Sequence, residues 1–260
     1  MIDLLKARNA FKVFINQYEN KSHVSFNLKV IHTYKVSENA KIIATNLDLN
    51  TEDIELAELI GILHDIGRFD EIITTGECNS MKFDHAKHAS KILFEDNHIR
   101  DFIDDNKYDY IIKKSIENHN CFRIEEGLDE KVLLHCKVLR DADKLDIFRV
   151  KKEAELKGLY PRRVNKLEDI EESLISDKIY EAVLKEECVL NSDRKYPLDY
   201  LVSNMAYVFD LNFIMSFKIL KNKNYLNDII DRFNYKNPIT KNRMEEIKKI
   251  FNNFIDRKIN

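Results

Sequence analysis

The chain has 260 residues, 33% of them charged and 44% drawn from Ala, Val, Ile, Leu, Met, Phe, Trp, Tyr and Cys, a balance that excludes a disordered or collagen-like chain. Its 42 Lys and Arg against 45 Asp and Glu leave a net charge of −3, which supplies no broad basic face and excludes a dedicated nucleic-acid binder. With only 5 Gly and 3 Pro, too few for the tight turns of a strand-rich fold, an all-α protein is expected.

Apolar residues recur at helical spacing along almost the whole chain. Leu4, Phe11, Phe14 and Tyr18 predict a first helix. A second is expected from about 23 to 47, with Leu28, Val36, Ile43 and Leu47 on one stripe. A third starts at Asn50 or Thr51, where Glu52 and Asp53 favour the positive end of the helix dipole. It carries Leu56, Ile60 and Leu63, and Gly67 is placed to end it as a left-handed cap. Residues 68–84 lack periodicity and include Gly76, Asn79 and Ser80, which predicts a loop. Helices resume near 85–96, 108–118 and 129–150.

Beyond Lys151 a connector passes Gly158, Pro161, Arg162 and Arg163, and further helices are expected at about 168–187, 199–221 and 240–257. The most apolar stretch, Met205 to Leu220, contains Asp210, Asn212 and Lys218 and falls short of the roughly 20 apolar residues of a membrane span. It predicts a buried core helix with Tyr207, Leu211, Ile214 and Phe217 on its inner stripe. The expected organisation is a helical domain over 1–150, with its core at 22–150, and additional C-terminal helices over 151–260. Those helices complete the same bundle or form a homodimer interface. Cys78, Cys121, Cys136 and Cys188 make no CxxC pair, and Met1 to Lys6 lacks the basic start and apolar run of a secretory signal. A cytoplasmic protein with reduced thiols and no membrane partner is expected, with Cys121 and Cys136 in the core.

The informative anomalies are polar residues on apolar helix faces. His32 lies on the stripe of Leu28, Val36 and Ile43; His64 extends that of Leu56, Ile60 and Leu63; Asp143 interrupts Val132, Cys136, Leu139, Ile147 and Val150. A buried carboxylate is costly unless paired or metal-bound, and helical bundles build metal sites from side chains on separate helices that converge inward. Asp65 follows His64, and its two oxygens suit it to bridge two ions. His85 opens a run with Ala89 and Leu93 on its face, and His119 closes a helix bearing Ile112, Ser115 and Ile116. The candidate ligand set is therefore His32, His64, Asp65, His85, His119 and Asp143. Four imidazoles and two carboxylates favour a divalent transition metal, Fe or Mn, with Zn, Co or Ni as alternatives, over Mg.

The order His32, His64-Asp65, Asp143, with HDIG at 64–67 and Asp141-Ala142-Asp143-Lys144-Leu145-Asp146, resembles the HD superfamily of metal-dependent phosphohydrolases. The added His85 and His119 resemble its two-metal branch, which includes cyclic-nucleotide phosphodiesterases. The resemblance spans about residues 22–150 and implies an HD-domain-like helical bundle acting on a small, nucleotide-like phosphomonoester or phosphodiester through a metal-bound hydroxide. Asn118-His119-Asn120-Cys121 lacks the second His of the cyclic-dinucleotide branch, and no Gly-Tyr-Pro follows. Arg68-Phe69-Asp70 stands where the guanosine tetraphosphate hydrolases carry Glu-Asp. Neither substrate is supported. Alternatives on the same scaffold are a dinuclear-iron oxygenase, in which a Tyr or Glu such as Tyr34 or Glu38 caps one metal, and a non-catalytic regulatory module.

Asp65 is expected to bridge the metals. His88, three residues from His85, can reach the same cleft and protonate a leaving group. Arg68 offers a planar fork for phosphate or a surface ion pair with Glu71, and Lys144 either binds phosphate or faces solvent. His23, His98 and His135 are expected to be structural, and Asp146 a supporting acceptor or a surface charge.

Overall fold

The computed structural model describes residues 1–18, 24–76, 83–155, 164 and 166–260, with Val24 described by its backbone alone. His23, Cys78, Asn79, Ser80, Gly158, Pro161, Arg162 and Arg163 lie outside the described residues. Among the described residues every regular element is helical, so the all-α expectation is met. None of these helices is long and apolar enough to cross a membrane. The chain divides into two compact units, Met1–Asp143 and Lys144–Asn260.

The first unit opens with α1 (Leu4–Asn16), where the Asp3 side chain accepts from Lys6 N and Ala7, Phe11 and Phe14 form the buried stripe. It continues through α2 (Val24–Asn46), α3 (Thr51–Leu63), α4 (Ile66–Thr75) and α5 (His85–Ser90). A π-helical turn (Lys91–Glu95) leads to α6 (Ile99–Phe102) and α7 (Asp109–Asn118). The long α8 (Glu130–Glu153) begins in this unit and runs past its end. α2 lies along α3, α4 packs on α2 and α5, and α7 packs on α3 and α5. Phe69 of α4 meets Phe26 of α2 at 4.9 Å and Phe11 of α1 at 5.8 Å between ring centroids, closing the core beside these crossings.

Two glycines set how closely these helices approach. A Cβ on Gly61 of α3 would fall 2.6 Å from Ser37 Cα of α2. The backbones touch there, and Ser37 Oγ donates to Glu58 O at 3.0 Å. A Cβ on Gly67 would fall 2.5 Å from His85 O and 2.7 Å from Ala89 N of α5. Gly67 is thus not the left-handed cap expected from its position after Leu63. The chain turns at Asp65 (φ −107°, ψ 17°) and re-enters a helix, and the left-handed cap is Gly76 at φ 71°. The predicted loop over 68–84 is accordingly helical as far as Thr75. Periodicity fails to report α4 because Arg68 and Glu71 are buried there together with Ile66, Phe69 and Ile72. Their charges pair with each other and break the apolar stripe.

The second unit contains α9 (Glu168–Glu171), α10 (Asp177–Leu184), α11 (Pro197–Met205), α12 (Ile214–Asn222), α13 (Tyr225–Ile230) and α14 (Pro238–Ile259). α10, α12 and α13 pack against α14, which buries Met244, Ile247, Phe251, Phe254 and Ile255 and starts at Pro238 under an Asn237 cap. The helices expected over 168–187 and 199–221 are each broken. The predicted core helix from Met205 to Leu220 is instead a 3₁₀ turn (Ala206–Asp210), an extended link through Leu211 and Phe213, and α12. Asp210 ends the turn by pairing with Lys144 at 2.9 Å, and Ile214, placed on the inner stripe by the sequence, is 56% exposed. Cys136 is buried as expected, but Cys121 is exposed, because it lies in the segment after α7 rather than on a helix face.

Candidate metal centre

Three helix ends and two helix interiors of the first unit deliver the six candidate ligands. His32 projects from the middle of α2. His64 caps the C-terminus of α3, and Asp65 is the turn residue between α3 and α4. His85 is the first residue of α5, whose N-terminus Asp84 caps by accepting from Lys87 N. His119 caps the C-terminus of α7, and Asp143 lies on α8. All but Asp143 are buried.

The donor atoms form two groups that can each hold a metal ion: His32, His64 and Asp143, and Asp65, His85 and His119. His32 Nε2 is 3.1 Å from Asp143 Oδ1, and His85 Nε2 is 3.1 Å from His119 Nε2. Two donors on one ion, each about 2.1 Å from it, are spaced in this way. Asp65 faces both groups. Its Oδ2 is 3.5 Å from Nε2 of both His32 and His64, and its Oδ1 is 3.6 Å from His85 Nε2 and 3.7 Å from His119 Nε2.

The chemistry of this donor set fits a cation. His64 Nδ1 lies 2.8 Å from Gly61 O and His119 Nδ1 lies 2.6 Å from Ile116 O. Each Nδ1–H donates to that carbonyl, which leaves each Nε2 as an acceptor turned toward a carboxylate. His64 Nε2 is buried and makes no hydrogen bond. Acceptor facing acceptor is unfavourable unless a cation lies between them. Burial pushes the His64 imidazole below its ordinary value of 6.5, and burial with the neighbouring Arg68 charge holds His85 well below it. Both rings are therefore neutral ligands near neutral pH. Burial alone would raise the two carboxyls. Lys29 more than offsets it for Asp65, and a hydrogen bond from His32 does so for Asp143, so both are held well below 3.8 and are ionised.

His88 Nε2 is 2.6 Å from Asp70 Oδ2, and Tyr18 donates to Asp70 Oδ1 at 2.7 Å. Arg68 is buried, with Nη1 2.6 Å from Glu71 Oε2 and Nε 3.4 Å from Asp65 Oδ1. Its ion pair with Glu71 is an interior one, not a surface one. Lys144 pairs with Asp210 and has Tyr207 beneath its ammonium at 5.9 Å. Asp146 binds Arg149, with Nε at 2.6 Å and Nη2 at 3.0 Å. Of the histidines read as structural, buried His135 lies 3.5 Å from Asp53 Oδ1, and exposed His98 pairs with Asp101 at 2.9 Å. Glu38 pairs with Lys35 on an exposed face, and the Tyr34 ring packs edge-on against Phe11.

Three residues of the site escape the sequence reading. Lys29 Nζ is 2.5 Å from Asp65 Oδ2; its one signal is a position one turn before His32. Asp70 carries no mark apart from following HDIG. Arg140, buried on α8, donates to the carbonyls of Asn118 at 2.9 Å and Cys121 at 2.6 Å, and so holds the segment that presents His119. An Arg between Leu139 and Asp141 is unremarkable in sequence.

Fold and donor set together define a helical domain with two groups of His and Asp donors, on either side of the Asp65 carboxylate, that could hold metal ions. Residues 30–147 match the HD domain family. HD domains are typically metal-dependent phosphohydrolases. No curated protein and no solved structure matches the chain.

Proposed function

We propose that the chain is a metal-dependent phosphohydrolase that cleaves a phosphomonoester or phosphodiester bond in a small nucleotide-like substrate, using two divalent ions, Fe or Mn. The observation that carries this is the division of Asp65, one carboxylate oxygen turned to His32 and His64 and the other to His85 and His119. Bound divalent ions supply an acidified water and neutralise charge on the phosphoryl oxygens.

The chain's own residues hold and orient. The carbonyls of Gly61 and Ile116 fix the tautomers of His64 and His119. Arg68, anchored by Glu71, braces Asp65 from the Oδ1 side. His88 is gripped by Asp70 and its side chain is 29% exposed, so its ring is oriented yet reachable by substrate. We assign it delivery of a proton to the leaving oxygen, with Asp70 fixing the orientation of its ring.

The test is metal content by plasma mass spectrometry on protein purified without chelator, followed by phosphate-ester hydrolysis with Mn²⁺ or Fe²⁺. The substrates are bis(p-nitrophenyl) phosphate and a nucleotide panel. About two ions per chain and turnover that Asp65→Ala abolishes are expected. Oxygen uptake in place of ester hydrolysis would move the chain to the oxygenases of this scaffold. Ions without turnover would leave a regulatory module.

A further inference from the structure

We propose that Lys29 competes with the cation of the His32, His64 and Asp143 group for Asp65 Oδ2 and so sets how tightly that ion is held. The inference rests on the metal-site reading above. Asp65 is 2% exposed, and each of its oxygens has a cationic side chain beside it. On Oδ1 that partner is Arg68 Nε at 3.4 Å, whose guanidinium is also held by Glu71. On Oδ2 it is Lys29 Nζ at 2.5 Å, for which Asp65 is the acidic partner. The same Oδ2 is the oxygen 3.5 Å from both His32 and His64.

A cation ligated by His32, His64 and Asp143 therefore meets Oδ2 beside an ammonium that already occupies one of its faces. Two cations on one carboxylate oxygen repel strongly at low dielectric. Lys29 is tethered differently from Arg68. Its side chain is 19% exposed, against 10% for Arg68, and a flexible four-carbon stem carries its charge, so it can swing outward when the oxygen is claimed. The two groups are consequently unequal. The His85 and His119 group meets an oxygen braced by a fixed guanidinium, whereas the His32 and His64 group must displace a mobile one.

The measurement is Mn²⁺ titration by isothermal calorimetry on the full chain in a His119→Ala background, which isolates the His32, His64 and Asp143 group. The melting temperature without added metal is read alongside. Lys29→Gln is expected to tighten Mn²⁺ binding by about tenfold while lowering that melting temperature. Lys29→Arg, which keeps the charge, is expected to bind no more tightly than the parent. Unchanged or weaker binding in Lys29→Gln overturns the proposal and leaves Lys29 a plain structural ion pair. Should Lys29→Gln not fold, tighter binding in Lys29→Arg than in the parent overturns it equally. A parent chain that takes up no Mn²⁺ in either group defeats the metal-site reading itself, a result distinct from Mn²⁺ uptake insensitive to Lys29.

Discussion

Asp65 holds a demanding position, 2% exposed and at the centre of the donor set. A carboxylate removed from water costs several kcal/mol unless each oxygen finds a partner, and here both are shared between imidazoles and cationic side chains. The buried histidines add a pH signature. His64 and His85 stay neutral in the fold below 6.5, where the unfolded chain takes up protons that the fold refuses, so their contribution is present above 6.5 and falls as the pH drops below it. Asp65 and Asp143, both depressed, contribute above 3.8 and lose that contribution as the pH falls further. Both effects have one sign, so the melting temperature of chelator-treated protein is expected to decline monotonically on acidification, beginning near pH 6.5; a flat profile between pH 7 and 5 would contradict the assigned burial. For His88, replacement by Ala is expected to lower kcat by about 10²–10⁴-fold with metal content unchanged, and Asp70→Asn, which loosens the grip on the ring, to lower kcat by less.

At the scale of elements, the site depends on how closely helices can approach. Gly67 lets α4 touch α5, so that Asp65 and His85 share one neighbourhood. Gly67→Ala must push these backbones apart, at a cost of about 1–3 kcal/mol, and should release the ion of the Asp65, His85 and His119 group before that of the other group. Metal stoichiometry and thermal melts on the variant check this directly. Arg140 acts through the segment after α7. Removing its guanidinium in Arg140→Met takes the donor from the carbonyls of Asn118 and Cys121, and a loss of roughly 10–100-fold in affinity is expected in the group containing His119. Equal loss in both groups would point to general destabilisation instead. These two residues also show where sequence reading stops. Gly67 after Leu63 looks like a cap because helix termination is a local signal, whereas its contact with α5 is made 18 and 22 residues further along, at His85 and Ala89.

Across the whole molecule, a ligand that binds only the folded state stabilises it by mass action. At an ion concentration 100 times the dissociation constant the gain is about 2.7 kcal/mol, so chelation should lower the melting temperature and Mn²⁺ should restore it. An Asp65→Ala chain should gain less from Mn²⁺ than the parent chain, since the His32, His64 and Asp143 group remains. In the second unit, α14 gathers α10, α12 and α13, and Phe251→Ala within it is expected to cost about 3–5 kcal/mol, read by calorimetry.

The all-α class was legible from sequence alone, and so were the six candidate donors that the fold brings into two groups. Helical periodicity is local, so a His or Asp on an apolar stripe at i, i+3 or i+4 is visible without knowing its partners. The same locality hid α4, where Arg68 and Glu71 are buried as a pair, and turned the broken segment around Asp210 into one helix. Only the tertiary structure decided which oxygen of Asp65 faces which histidines. It alone placed Lys29 against Asp65 across 36 residues, Asp70 against His88 across 18 and Arg140 under the carbonyl of Asn118 across 22. The reason is physical. Charge compensation acts through space over a few ångströms, and the helix crossings that bring such groups together leave no period in the chain.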